Sequence, residues 1–162
     1  MAYDWVTGAR RDPDGRLLAF NLTDNQVRDP DTFNECALWI DTALHRLPPV
    51  RFERPGGVHQ PWRVRDAEGR VDVTFEPTVR NEQHIGPRSA LADYYGPFGW
   101  CSGTIVDNDG APVSVDACFG MGEQSSSASR SVDRPSSVSR SPRRAGPLSG
   151  IAQRTISATS AK

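Results

Sequence analysis

The sequence lacks long apolar runs and has few cysteines. No window approaches the roughly 18 consecutive apolar residues of a membrane helix, and residues 1–13 carry charges where a signal peptide needs its apolar stretch. We therefore predict a cytoplasmic protein. Cys36, Cys101 and Cys118 form no C-x-x-C pair, which argues against a disulfide framework and a structural zinc site and favours reduced thiols.

Sequence signatures of common catalytic and cofactor sites are also lacking. His45, His59 and His84 do not have the spacing that places two imidazoles on one metal ion. The sequence contains no G-x-S-x-G nucleophile elbow, no phosphate-binding loop and no dinucleotide fingerprint. We predict no metal and no cofactor.

Residues 124–162 lack aromatic side chains and have little apolar surface. They carry a net charge of 7 − 1 = +6, against 12 − 19 = −7 for residues 1–123, and 12 of these 39 residues are serine. Such a segment cannot offset the entropy of ordering itself, so we predict a disordered tail after a domain of residues 1–123. Ser-Arg repeats can bind nucleic acid, but without stacking aromatics we favour a solvated tail with no specific nucleic-acid partner.

A turn pattern, Asp-x-x-Gly, is present three times. It occurs at Asp12 to Gly15, Asp66 to Gly69 and Asp107 to Gly110, each time between two extended-looking segments. The first-position aspartate can accept backbone N–H bonds, and the fourth-position glycine can adopt positive φ and close a bulged hairpin. The pattern predicts three β-hairpins.

Pairing each Asp with its Gly predicts which side chains share a face, because side chains alternate along a strand. The three predicted apolar faces are Trp5, Thr7 and Ala9 with Leu18, Phe20 and Leu22; Trp62 and Val64 with Val71, Val73 and Phe75; and Phe98, Trp100, Ser102, Thr104 and Val106 with Val113, Val115, Ala117 and Phe119. On the opposite face of the second hairpin, Arg63, Arg65 and Arg70 can meet Asp72 and Glu76 and form a solvated polar face.

Further strands are predicted between these hairpins. Residues Ala37 to Ile40, Val50 to Glu53 and Thr78 to His84 have extended patterns, although Phe33 to Ile40 is also compatible with one or two turns of helix. The fold class is therefore all-β, an antiparallel meander of about eight or nine strands. Whether it forms a barrel or a sandwich is left open by the sequence.

Several segments resemble the second half of a bacterial family described only as domain of unknown function 2804. They are Asp4-Trp5, Ala19 to Leu22, Asn34 to Trp39, His45 to Leu47, Pro49 to Phe52, Pro61 to Val64, Gly69 to Val73 and Phe98 to Thr104. The resemblance covers about residues 3–123 and implies a β-rich, lipocalin-like scaffold, distantly similar to carotenoid hydratases (hydroxyneurosporene synthases). It brings no set of catalytic residues.

Because members of that family are about twice as long, the resemblance implies a truncated or frame-altered member. A partial barrel would leave strand edges unpaired, so we expect self-association through those edges.

The most suggestive candidate site combines Asn34, Glu35, Trp39, His45 and Arg51. A Glu35 carboxyl desolvated beside Trp39 would have a raised pKa and could act as a general acid with His45 as its partner. The simpler interpretation, which we favour, is that Glu35 pairs with Arg51 while Trp39 packs.

Three functional hypotheses follow. The first is a binding module for a hydrophobic small molecule, with Trp39, Arg51, Trp62 and Trp100 as ligand-binding residues. The second is a hydro-lyase that uses Glu35 and His45 on an isoprenoid double bond, as the resemblance to carotenoid hydratases implies. The third is a remnant without activity. We expect at most ligand binding, without independent catalysis.

Overall fold

The computed structural model describes residues 3–24, 27–85 and 92–127. These residues form twelve strands and one short helix. The elements are β1 (Tyr3–Arg11), β2 (Leu17–Asp24), α1 (Pro30–Phe33), β3 (Ala37–Ile40), β4 (Ala43–Arg46), β5 (Val50–Glu53), β6 (Trp62–Asp66), β7 (Val71–Val79), β8 (Glu82–Ile85), β9 (Ala92–Tyr95), β10 (Phe98–Val106), β11 (Pro112–Ser114) and β12 (Cys118–Ser127).

All strand pairs are antiparallel, which confirms the all-β prediction. The main hydrogen-bonded order is β4-β3-β2-β1-β12-β10-β7-β6-β5, with β11 beside β10 and the β8–β9 hairpin beside β12. The strands outnumber the eight or nine predicted, partly because the segment from Thr78 to His84 is divided between β7 and β8.

The sheet curls into a half-barrel. Its last strand in the pairing order, β5, lies against β2. Arg51 on β5 forms an ion pair with Asp24 on β2 at 2.9 Å, and Arg54, just after β5, forms one with Asp4 on β1 at 2.8 Å. The other end of the order, β4, has no further hydrogen-bonded strand among the described residues. Self-association through such an edge stays a prediction.

The inner face of the curled sheet packs into a single apolar core. The large side chains of Trp62, Phe20 and Phe75 are fully buried there, and the ring of Trp62 meets that of Phe75 edge to face at 5.3 Å. Val64 lies opposite Val73 and Trp62 opposite Phe75, so the predicted faces of the second hairpin are confirmed. The interior is therefore filled by side chains.

The predicted face of the first hairpin is wrong by one residue. Asp12 N donates to Arg16 O, and Gly15 adopts a φ of 85°. Asp12 therefore pairs with Arg16 and not with Gly15, and Gly15 is the extra residue of a bulged hairpin. In consequence Val6, rather than Trp5, lies opposite Leu22, and Trp5, Thr7 and Ala9 share the outer face with Ala19 and Asn21.

The third hairpin departs from its prediction for the same reason. Asp107 N donates to Ala111 O, Gly110 has a φ of 84°, and Ile105 lies opposite Val113. Phe98, Trp100 and Phe119 do share a face, as predicted, but it is the outer one, where 38%, 49% and 43% of their surfaces are exposed.

The remaining elements agree partly with the sequence. β3 and β5 have the predicted bounds, whereas the helical alternative for Phe33 to Ile40 is wrong, since the helix ends at Phe33. Strand β12 continues to Ser127, four residues beyond the predicted end of the domain at residue 123, and the rest of the tail lies outside the described residues. Within the described part of the chain, no helix has the length and apolar character to cross a membrane.

Candidate functional site

A cavity of about 440 Å³ lies between α1 and the outer face of β2, β3 and β4. We call it the helix–sheet cavity. Its lining residues are Asn21, Asp31, Thr32, Asn34, Glu35, Cys36, Ala37, Trp39, Leu44, Arg46 and Leu47. Its volume is within the range of small-molecule sites.

Local sequence signals place the helical wall of this cavity. Asp29 accepts a hydrogen bond from Thr32 N at 3.3 Å, and Pro30 occupies the first turn, where its missing N–H costs nothing. Asn34 then ends the helix: its side chain donates to Pro30 O at 2.8 Å and accepts from Cys36 N at 2.9 Å. These bonds direct the chain from α1 into β3.

Asn21 fixes the floor of the cavity. Its Nδ2 donates to Glu35 O at 2.9 Å, and its Oδ1 accepts from the indole N–H of Trp5. Both ends of the amide are therefore engaged by the protein, so Asn21 holds the segment after α1 against β2.

The apolar part of the cavity is formed by Trp39 and Leu44. These residues lie directly opposite each other on β3 and β4, with 36% and 52% of their surfaces exposed. An exposed indole beside an exposed leucine offers apolar surface that a ligand could remove from water.

The polar part contains three charged side chains that make no hydrogen bond or ion pair with any described residue: Asp31, Glu35 and Arg46. All three are exposed. The net charge of the cavity lining is therefore −1, from two carboxylates and one guanidinium.

The hypothesis of a Glu35–His45 acid–base pair does not fit the structure. His45 lies opposite Leu38, on the other face of the β3–β4 hairpin, and its Nδ1 accepts from Asn108 N at 3.2 Å. Since Glu35 is exposed in the cavity, the desolvation that the hypothesis requires is also missing.

The favoured alternative, a Glu35–Arg51 pair, is also wrong. Arg51 bonds to Asp24 across the seam of the sheet, and its side chain is 70% exposed. Of the five candidate residues, the structure brings Asn34, Glu35 and Trp39 together in the cavity and places His45 and Arg51 elsewhere.

The other predicted ligand-binding tryptophans lie outside the cavity. Trp62 is fully buried in the core, and its indole N–H donates to Val58 O at 3.0 Å. Trp100 is half-exposed on the outer face of β10, where it meets Phe119 at a ring distance of 4.9 Å. A role of either residue in ligand binding stays a prediction.

Eight cavity residues are not among the candidates predicted from the sequence: Asn21, Asp31, Thr32, Cys36, Ala37, Leu44, Arg46 and Leu47. The signal that could have found the helical wall is the Asp29-Pro30 pair, a helix N-cap followed by proline. To predict Leu44 and Arg46 as cavity residues, the pairing of β3 with β4 must be known, and no local sequence motif indicates that pairing.

One of the predicted contacts between basic and acidic side chains on the second hairpin is present. Arg65 Nε lies 3.1 Å from the Asp72 carboxylate across β6 and β7. Arg70 instead donates to Val106 O at 3.1 Å and to Asn108 Oδ1 at 3.2 Å, which ties its turn to the β10–β11 turn.

Histidine and cysteine side chains form no cluster of three potential metal ligands among the residues that the structure describes. His59 Nε2 lies 2.9 Å from a Glu82 carboxylate oxygen, and the side chain of His84 lies outside the described part. The three thiols are free and buried. Burial raises the pKa of Cys36, and it raises the pKa of Cys101 to about 12 and of Cys118 to about 11, which makes them poor nucleophiles.

Comparison with known protein families gives a match over most of the chain. The sequence model of a family described as domain of unknown function (DUF2804) matches residues 1–128. No curated protein matches, and no solved structure matches.

Proposed function

Since the chain belongs to the DUF2804 family, whose description assigns no activity, we propose from the geometry of this chain that it is a small-molecule-binding module. Its site is the helix–sheet cavity. The observation that carries the proposal is the exposed apolar pair Trp39 and Leu44 at one end of a cavity of about 440 Å³. The cavity also contains charged groups that have no partner in the described part of the chain. A ligand with an apolar part would cover this pair.

The filled interior supports a site on the outer face. In a lipocalin-like mode the ligand would lie inside the curled sheet, but Trp62, Phe20 and Phe75 occupy that space. Admitting a ligand there would require the displacement of a fully buried tryptophan, at a cost of several kcal/mol. The outer cavity needs no such displacement.

The proposal includes binding without independent catalysis. Glu35 is one of the two carboxyl groups in the cavity, and it has no histidine or tyrosine partner among the lining residues. A general acid in this position would be open to water.

Hydration of an isoprenoid double bond is the second candidate function, and the observation that favours it is the presence of Glu35 in the same cavity as Trp39. Turnover of an isoprenoid alkene by the wild-type chain that Glu35→Gln abolishes would establish this candidate in place of a pure binding role.

The proposed location is the cytoplasm. Three buried, free cysteines suit a reducing compartment. Detection of the protein in an oxidising compartment, such as the periplasm, by cell fractionation would contradict this part of the proposal.

Tryptophan fluorescence tests the binding function. Retinol, an isoprenoid polyene, should quench part of the emission in a saturable way, and Trp39→Ala should weaken its binding at least about tenfold because the main apolar wall is lost. Trp39→Phe should retain most of the affinity. Trp100→Ala is the matched control, because Trp100 is also half-exposed on the outer face but lies outside the cavity. Unsaturable quenching, or equal effects of Trp39→Ala and Trp100→Ala, would contradict the assignment.

A further inference from the structure

We infer that the helix–sheet cavity selects an amphipathic ammonium compound, with its charged end at Asp31 and Glu35 and its apolar end at Trp39 and Leu44. The inference rests on the proposed binding function and adds the chemical class of the ligand.

The polar groups that can select a ligand are few. The side-chain amides of Asn21 and Asn34 are each engaged at both ends by Trp5, Glu35 O, Pro30 O and Cys36 N. The charged groups of Asp31, Glu35 and Arg46 have no partner among the described residues. Apart from the Thr32 hydroxyl, these three charges are the side-chain polar groups of the lining that are left to select a ligand.

The balance of charge favours a cation. Two carboxylates against one guanidinium give the lining a net charge of −1, which attracts a cationic ligand and repels an anionic one. Because all three groups are exposed, the net preference is small, and we expect about a tenfold difference in affinity between cationic and neutral ligands.

The order of groups along the cavity favours an elongated ligand. Asp31 and Glu35 flank the end of α1, whereas Trp39 lies four residues beyond Glu35, roughly 13 Å away if the chain is extended. Arg46 lies opposite Ala37, between the two ends. An amine with an alkyl chain can place its ammonium group beside the carboxylates and its chain on the indole.

Isothermal titration calorimetry on the full chain with three matched probes tests the inference: octylammonium, 1-octanol and octanoate, each below its aggregation concentration. Octylammonium should bind about tenfold more tightly than octanol, and octanoate should bind most weakly. The advantage of octylammonium should shrink as the salt concentration rises, since the carboxylates are exposed.

Charge-removing variants identify the selecting groups. Asp31→Asn combined with Glu35→Gln should abolish the preference for octylammonium over octanol, so that the ratio of the two affinities falls to about one. Arg46→Gln should strengthen octylammonium binding, because it removes the opposing charge. Asp109→Asn, an exposed carboxylate on the turn between β10 and β11, is the control that should change nothing.

The outcomes separate the inference from the proposed function. Equal binding of all three probes, or tightest binding of octanoate, would overturn the ammonium assignment and leave a binding module. Absence of binding by every probe, together with unsaturable retinol quenching, would overturn both. A preference for octylammonium that survives in the Asp31→Asn, Glu35→Gln double variant would also overturn the inference.

Discussion

Gly120 on β12 lies so close to Thr7 on β1 that a Cβ atom at position 120 would collide with the Thr7 carbonyl oxygen and with the backbone of Gly8. The registers place Gly8, Gly120 and Gly99 in one row across β1, β12 and β10. The ring of Phe20 covers Gly8, where an added Cβ would lie 2.8 Å from it. This glycine row is a place where the curled sheet packs backbone against backbone.

We predict that Gly120→Ala lowers the free energy of unfolding by about 3 kcal/mol or more, because the colliding atoms belong to the backbone and cannot rotate away. Gly57→Ala is the control. Gly57 has a positive φ of 84° and open space around it, so its substitution should cost only about 1 kcal/mol of backbone strain. Urea denaturation of both variants checks this, and equal losses would be inconsistent with a collision at position 120.

Trp62 is the largest fully buried side chain of the core. Trp62→Ala should lower the free energy of unfolding by about 3–5 kcal/mol, since it removes the edge-to-face contact with Phe75 and leaves a cavity. Trp62→Phe should cost less, because the ring contact is partly kept. A loss below about 1 kcal/mol for the alanine variant, measured by chemical denaturation, would show that the interior is loosely packed.

The sequence could predict the core only as far as it predicted the turns and the strand registers that the turns set. The Asp-x-x-Gly pattern located all three turns, and the positive φ values of Gly15, Gly69 and Gly110 confirm the role of glycine. The second register is nevertheless off by two residues, which leaves its faces unchanged, whereas the first and third are off by one. In those hairpins the glycine itself is the extra residue, so the aspartate pairs with the residue that follows the glycine. A slip of one residue exchanges the two faces, which is why Trp5 was predicted inside and Val6 outside.

The candidate site was less predictable for a physical reason. Residues Asn34, Glu35 and Trp39 lie within six positions of one another and reach the cavity together. His45 and Arg46 are neighbours in the sequence, but alternation along β4 places them on opposite faces. Without the pairing of β3 with β4, the sequence could not decide which of these two residues lines the cavity together with Glu35.

The Tyr3 hydroxyl donates to the Glu123 carboxylate, and this bond is the main cause that raises the pKa of Tyr3 to about 12. In the unfolded chain a tyrosine has a pKa of about 10. The folded state therefore keeps a proton that the unfolded state loses, and the stabilisation is present below pH 10 and lost as the pH rises from about 10 to 12.

Urea denaturation of wild type and Tyr3→Phe at pH 8, 10 and 11.5 tests this pH dependence. The stability advantage of the wild type should shrink between the last two values, because the variant has no proton to lose at position 3. A constant difference between the two proteins at all three pH values would show that the Tyr3–Glu123 bond does not control the titration.

Cys101 and Cys118 lie directly opposite each other on β10 and β12, and both are almost completely buried. Burial is the first cause that raises their pKa values, to about 12 and about 11, and an Arg10 guanidinium beside Cys118 offsets this in part. At pH 8 the reactive thiolate is then scarce, so both thiols should react with Ellman's reagent at least about a hundredfold more slowly than a free cysteine. In guanidinium chloride all three thiols should react rapidly. In the native protein the reaction of Cys101 and Cys118 should proceed at the rate of unfolding. Rapid labelling of the native chain at position 101 or 118, located by mass spectrometry, would mean that this part of the sheet opens without global unfolding.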